Sequence, residues 1–100
     1  MPAVVRIGDP LSTGHACTGS TTLAGANQGT VYVNNILTSV VGAPTVSHSN
    51  PPVPICPSHV ANINAGSSTV FVEGIPWGRV GDSTDAGAMT GGSPDVFAGG

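Results

Sequence analysis

The chain has 100 residues and seven charged side chains: no lysine, two arginines (Arg6 and Arg79) and five acids, for a net charge of -3. That balance excludes a nucleic-acid binder driven by a basic patch and a polybasic membrane anchor, since both need clustered cations to meet phosphates. Glycine and proline together supply 24 residues and serine and threonine 20; leucines and aromatics are few, so a helical bundle is excluded in favour of one small all-β domain spanning 1–100, built of short strands and long turns.

In chain order, the first recognisable element is Arg6-Ile7-Gly8-Asp9, followed by His15-Ala16-Cys17 in a turn-rich stretch. Val31 and Val33 alternate about Tyr32 at the two-residue period of a strand. Asn34-Asn35 then stand where a two-residue turn folds the chain back, because asparagine tolerates the positive φ that such turns require. The returning strand is predicted over 36–41. Residues 44–57 read as an irregular Pro/Ser-rich loop that carries His48 and Cys56, with His59 just beyond it. The pattern then repeats at an offset of 39: Thr69-Val70-Phe71-Val72-Glu73-Gly74-Ile75 matches Thr30-Val31-Tyr32-Val33-Asn34-Asn35-Ile36, and Cys17 matches Cys56. A second returning strand is predicted over 75–80, ending in Arg79-Val80-Gly81-Asp82, an echo of the opening tetrapeptide. The Gly-rich segment 87–100 either closes the last face or trails as a flexible end. No stretch nears the ~18 apolar residues of a membrane span, and Met1-Pro2 opens no signal-peptide pattern; the expectation is a soluble chain exported, if at all, by another route.

With so few large apolar side chains, a chain of this size needs a further tie, and small domains commonly use a metal, a disulfide or a partner. All three histidines fall in turn regions. With Cys56 they make four nitrogen and sulfur donors (His15, His48, Cys56 and His59), a set suited to a closed tetrahedral site for one Zn2+ per chain, with Fe2+ second. Two alternatives stay open: a Cys17–Cys56 disulfide with incidental histidines, or Cys17 in place of His15 as a ligand. If Cys17 is neither, it is a small buried residue. A catalytic zinc would keep an open position and a neighbouring base. The lone glutamate, Glu73, lies in a hairpin turn, and Asp9, Asp82 and Asp85 read as turn residues capping backbone amides, so the expectation is that the chain is not an enzyme.

Ile75-Pro76-Trp77-Gly78-Arg79-Val80-Gly81-Asp82 resembles the Pro-Ala-Ala-Arg repeat and its trailing Gly-Asp, with Trp-Gly for Ala-Ala. Val5-Arg6-Ile7-Gly8-Asp9-Pro10 resembles the usual opening of that repeat, and 31–42 a degenerate middle copy without its proline, arginine and aspartate. On these residues the chain resembles the PAAR-repeat proteins over nearly its whole length. The resemblance implies a small pointed β-pyramid with pseudo-threefold repeats. Its apex would hold a metal on three histidines and one cysteine, matching His15, His48, Cys56 and His59 in order, and its base would sit on the end of a trimeric β-helical spike. The implied role is mechanical: the tip of a contractile injection machine, either a phage tail or a type VI secretion apparatus, that is assembled in the cytoplasm and pierces a target envelope. Effector proteins are possible companions, and the chain length leaves no room for a toxin domain of its own. Alternatives of other kinds are a generic zinc-binding interaction module, a minimal zinc hydrolase and an adhesin-like β-solenoid fragment.

Overall fold

A computed structural model describes residues 1–99. It is all-β, with no helix among the described residues, and its ten short strands are β1 (Pro10–Ser12), β2 (Ser20–Thr22), β3 (Tyr32–Val33), β4 (Ile36–Leu37), β5 (His48–Ser49), β6 (Ser58–His59), β7 (Phe71–Val72), β8 (Ile75–Pro76), β9 (Ser83–Thr84) and β10 (Gly87–Met89). β2, β1, β10 and β9 form a four-stranded antiparallel sheet in that order, and β3–β4, β5–β6 and β7–β8 are separate two-stranded ladders. The molecule is elongated, 40 × 23 × 22 Å.

The two predicted hairpin turns form as the sequence requires. Asn34 and Asn35 have φ of 53° and 66°, and Glu73 and Gly74 have 53° and 78°; positive φ at both central residues is the type I′ geometry that matches strand twist. The returning strands are shorter than predicted, 36–37 and 75–76, because the residues after them pair with other units instead of with their own hairpin: Thr38 bridges Arg6, and Val40 bridges Trp77.

Those cross-unit pairs close into a ring. The Val5 amide donates to the Gly78 carbonyl (3.0 Å), Gly78 to Ser39 (3.1 Å) and Ser39 back to Val5 (2.9 Å). The next layers repeat the pattern. Ile7, Val41 and Val80 donate to Leu37, Pro76 and Ala3, and Gly8, Gly42 and Gly81 donate to Leu23, Ile63 and Met89. The three glycines have φ of 90°, 91° and 90° and occupy the third position of tight turns, which is where a type II turn demands positive φ. In two of the turns Arg6 and Arg79 grip Asp9 and Asp82 through the Nε–Nη2 edge of the guanidinium at 2.9–3.0 Å, and the aspartates also accept their arginine's backbone amide. The middle turn has neither residue and still forms, with Ala43 donating to Val40 at 3.0 Å. The arginine–aspartate pair therefore reinforces a turn that glycine and the ring already define.

On one side of the ring lies the main core. Leu23, Ile63 and Met89, one from each unit, are at most 2% exposed and pack with Val5, Leu11 and Ala43. On the other side lie three hairpins, and the third is split between the chain ends: residues 96–98 pair with residues 2–4 through the Ala3–Phe97 bridge and the Val4→Val96 and Ala98→Pro2 bonds. Over its described residues, 87–99, the Gly-rich C-terminal segment thus closes the last face, and Gly100 lies outside the described residues. Side chains fix the entry to each of these hairpins in equivalent ways. Gln28 caps the amides of Thr30 and Val31, Ser67 those of Thr69 and Val70, and Ser93 those of Asp95 and Val96.

Candidate metal centre

Beyond the Leu23–Ile63–Met89 layer, each unit extends a hairpin away from the ring. The first is β1–β2 with the loop 13–19, the second runs from Pro44 through β5–β6 to Asn62, and the third is β9–β10 with its turn at Asp85, whose φ is 57°. Each supplies part of one cluster: His15 from the first, His48 and His59 from the second, where they are paired residues of the ladder, and Asp85 from the third.

The four donor atoms are mutually close along all six edges. His15 Nε2 lies 3.3 Å from His48 Nε2 and 3.1 Å from His59 Nε2, and the last two are 2.7 Å apart. Asp85 Oδ2 stands 2.8, 2.7 and 3.3 Å from the same three nitrogens. A tetrahedral ion with bonds of ~2.0–2.1 Å to nitrogen and oxygen has ligand–ligand edges of about 3.3 Å, so these atoms need shift by only a few tenths of an ångström to enclose one. The tautomers agree with that reading. His15 Nδ1 lies 2.9 Å from the Ala16 carbonyl and His48 Nδ1 2.9 Å from the Val46 carbonyl. A carbonyl can only accept, so Nδ1 carries the proton and Nε2 of the neutral ring is left as the lone pair facing the cluster, the outer-sphere arrangement common to metal-bound histidine. His48 is buried, and the other three are partly exposed.

The charges are balanced for a cation. Burial pushes the Asp85 carboxyl up, but hydrogen bonds from His48 and His15, which use a proton on Nε2 that a metal would displace, and the charge of His15 and His59 outweigh it and hold the group below its ordinary value. His15 is raised, first by its bond to the Ala16 carbonyl and then, against some burial, by Asp85. An anionic oxygen with three imidazoles is a closed four-donor set for a divalent ion such as zinc or iron(II), and the donors alone do not select between these two metals.

Three of the four residues expected from the sequence are brought together, and Cys56 is not. Its sulfur is bonded to Cys17, 39 residues away, and no free cysteine exists among the described residues. A disulfide sulfur lacks the thiolate charge that binds metal, and Asp85 occupies the fourth corner instead. The disulfide and the histidine cluster, posed as alternatives at the level of sequence, coexist. Cys17 is exposed, not buried, and His15 is the first loop's donor. Asp9 and Asp82 are the turn residues they were read to be; Asp85 is the one whose role the sequence reading missed. A signal for it exists. If three equivalent hairpins converge, the third must contribute at its turn, and Asp85 is the only ligand-capable side chain in that turn.

No family model matches the chain, and no curated protein matches it.

Proposed function

We propose that the protein is a metal-stabilised tip that caps the trimeric β-helical spike of a contractile injection machine, of a phage tail or of a type VI secretion apparatus, and sharpens it for passage through a target envelope. The observation that carries this reading is the closed backbone ring of Val5, Ser39 and Gly78 with its equivalent layers: one chain offers three like faces about an axis. A threefold partner is matched by such an end, whereas a monomeric partner would meet only one of the faces.

Two further features support it. On the hairpin side of the ring, Tyr32, Phe71 and Phe97 occupy equivalent positions and are 60%, 53% and 48% exposed. Aromatic side chains left out of a core at symmetry-related places are suited to anchor an interface. β3–β4 and β7–β8 are two-stranded, so their outer edges are open to strands of a partner, which removes an aggregation liability as it adds affinity. At the opposite end, where three hairpins meet with little apolar material between them, a metal tie takes the place of a core. The role so described is mechanical and non-enzymatic, and the protein would be assembled onto its spike in the cytoplasm.

The test is stoichiometry with a trimeric β-helical spike end. One copy of this chain per trimer is expected. Tyr32→Asp and Phe71→Asp, both at solvent-exposed positions, should each weaken capture about thirtyfold, the scale of an aromatic anchor worth ~2 kcal/mol. Binding at one chain per spike protomer, or capture indifferent to both substitutions, would point to a generic interaction module and sink the capping role.

A further inference from the structure

The disulfide plays no part in the capping role, and its position has a consequence of its own. Cys17 follows His15 by two residues in the β1–β2 loop, and Cys56 precedes His59 by three at the end of the β5–β6 hairpin. The covalent link therefore joins the same two loops that an ion on His15, His48 and His59 would join. Little else does so. The loops touch through Thr18, whose amide donates to the Ser49 carbonyl (3.3 Å) and whose Oγ1 accepts from the Ser49 amide (3.1 Å). Their tips bury almost nothing: Ala16, Cys17 and Gly19 are exposed on one side, and Pro52, Val53, Pro54 and Ile55 on the other. Without the link, the loop tip that carries His15 is held to the second hairpin by those two hydrogen bonds, and the Val46 amide to Thr22 carbonyl bond and the Leu23–Thr45 bridge tie the hairpins only nearer the ring.

We infer that the Cys17–Cys56 disulfide pre-places His15 against His48 and His59, so that the oxidised protein binds a divalent ion more tightly than the reduced protein and the bound ion in turn protects the disulfide. This rests on the reading of the cluster as a metal site. Reduction releases the loop into conformers that must be reordered before an ion can bind, and apparent affinity falls by the fraction of competent conformers. Linkage makes the effect reciprocal: whatever factor the disulfide contributes to metal affinity, the metal contributes to disulfide stability.

The experiment uses the full chain and Zn2+ alone, titrated against a chromophoric chelator, with oxidised protein and with protein reduced by a water-soluble phosphine. In the reduction the phosphine gives two electrons to the sulfur–sulfur bond and leaves as its oxide, with oxygen from water, and both sulfurs emerge as thiols. Zinc should bind the oxidised form ten- to a hundredfold more tightly, and each tenfold should move the disulfide's midpoint about 30 mV more negative when zinc is present. A Cys17→Ser/Cys56→Ser double variant should bind like the reduced chain. Should that variant not fold, the rate of phosphine reduction of the unaltered oxidised protein serves in its place, and zinc should slow it by a similar factor. Equal affinity in both redox states, with no protection by zinc, overturns the coupling. Tighter binding by the reduced form also overturns it, and would mean that a freed Cys56 thiolate enters the site. Failure of the oxidised protein to bind zinc at all is a separate result and overturns the metal reading beneath the proposal.

Discussion

Removing the metal, by chelation or by His48→Ala, is expected to cost the protein about as much stability as truncating a large core side chain. The apolar core ends at Leu11, Leu23, Ile63 and Met89. Beyond it the second hairpin leaves Val46, Val53, Ile55 and Val60 exposed, so packing contributes little to holding the three hairpins together. A closed zinc site in a small domain contributes on the order of 10 kcal/mol. The disulfide keeps the first and second hairpins tied after the ion is lost, and the β1–β10 pairing keeps the first and third tied, so only part of that contribution is lost. A net loss of at least about 3 kcal/mol is therefore expected, which lowers the Tm of a domain this size by on the order of 15 °C. Thermal unfolding with and without chelator provides the check. The parent protein should lose stability on chelation, and the His48→Ala protein should melt low under both conditions. A parent protein whose Tm ignores the chelator would remove the metal from the account of stability.

The second large effect is expected from a single methyl group on a residue that supplies no ligand atom. Gly87 in β10 lies so close to β1 that a Cβ there would press on the carbonyl oxygen and carbon of Ser12 and the amide of Gly14, all backbone atoms with nowhere to go. Gly14, with φ of 73°, faces the Ala86 carbonyl in the same way, and the Ala86 amide donates to the Thr13 carbonyl at 3.0 Å. This backbone-on-backbone approach brings the residue after Gly14 and the residue before Ala86 together, and those residues are His15 and Asp85. Gly87→Ala should therefore separate the first and third hairpins, destabilise the fold by about 3 kcal/mol, the upper end of overpacking costs, and weaken metal binding as well. Gly19→Ala, in the same loop but with nothing within 4 Å of the added atom, should change neither property measurably. Denaturant unfolding and a zinc titration on both variants separate these outcomes, and a Gly87→Ala protein that matches Gly19→Ala in both would refute the close-approach argument.

How much of this was legible in the sequence depended on whether the cause was local. Asn34-Asn35 and Glu73-Gly74 announced their hairpins because turn φ values are a property of those residues themselves. The Arg-x-Gly-Asp echo was readable for the same reason, since arginine, glycine and aspartate meet within one turn. The threefold closure was legible only in part. Its third hairpin pairs residues 2–4 with residues 96–98, and no local comparison aligns a strand whose two halves lie at opposite ends of the chain. The degenerate middle copy shows the converse. Losing its arginine and aspartate removes side-chain support, but the turn is set by Gly42 and the backbone ring, which leave little trace in side-chain identity.

The site divided in the same way. Three histidines in stretches that read as turns could be grouped by residue type, although two of them pair in β5–β6, because imidazoles in so small a chain have few other employments. The fourth donor required knowing which turn lies beside them in space: Asp85 is 70 residues from His15, and by spacing alone Cys56, beside His59, was the nearer choice. Sulfur's preference for a second cysteine at the matching position of the neighbouring unit then took Cys56 out of the set.

The most direct test of the centre is X-ray absorption at the metal edge of protein loaded with one equivalent of zinc, before and after Cys56→Ser. The account predicts one ion per chain surrounded by four nitrogen and oxygen atoms at about 2.0–2.1 Å, with no sulfur scattering and no change of donor type in the variant. A sulfur shell at about 2.3 Å that disappears with Cys56 would contradict it and return the cysteine to the metal.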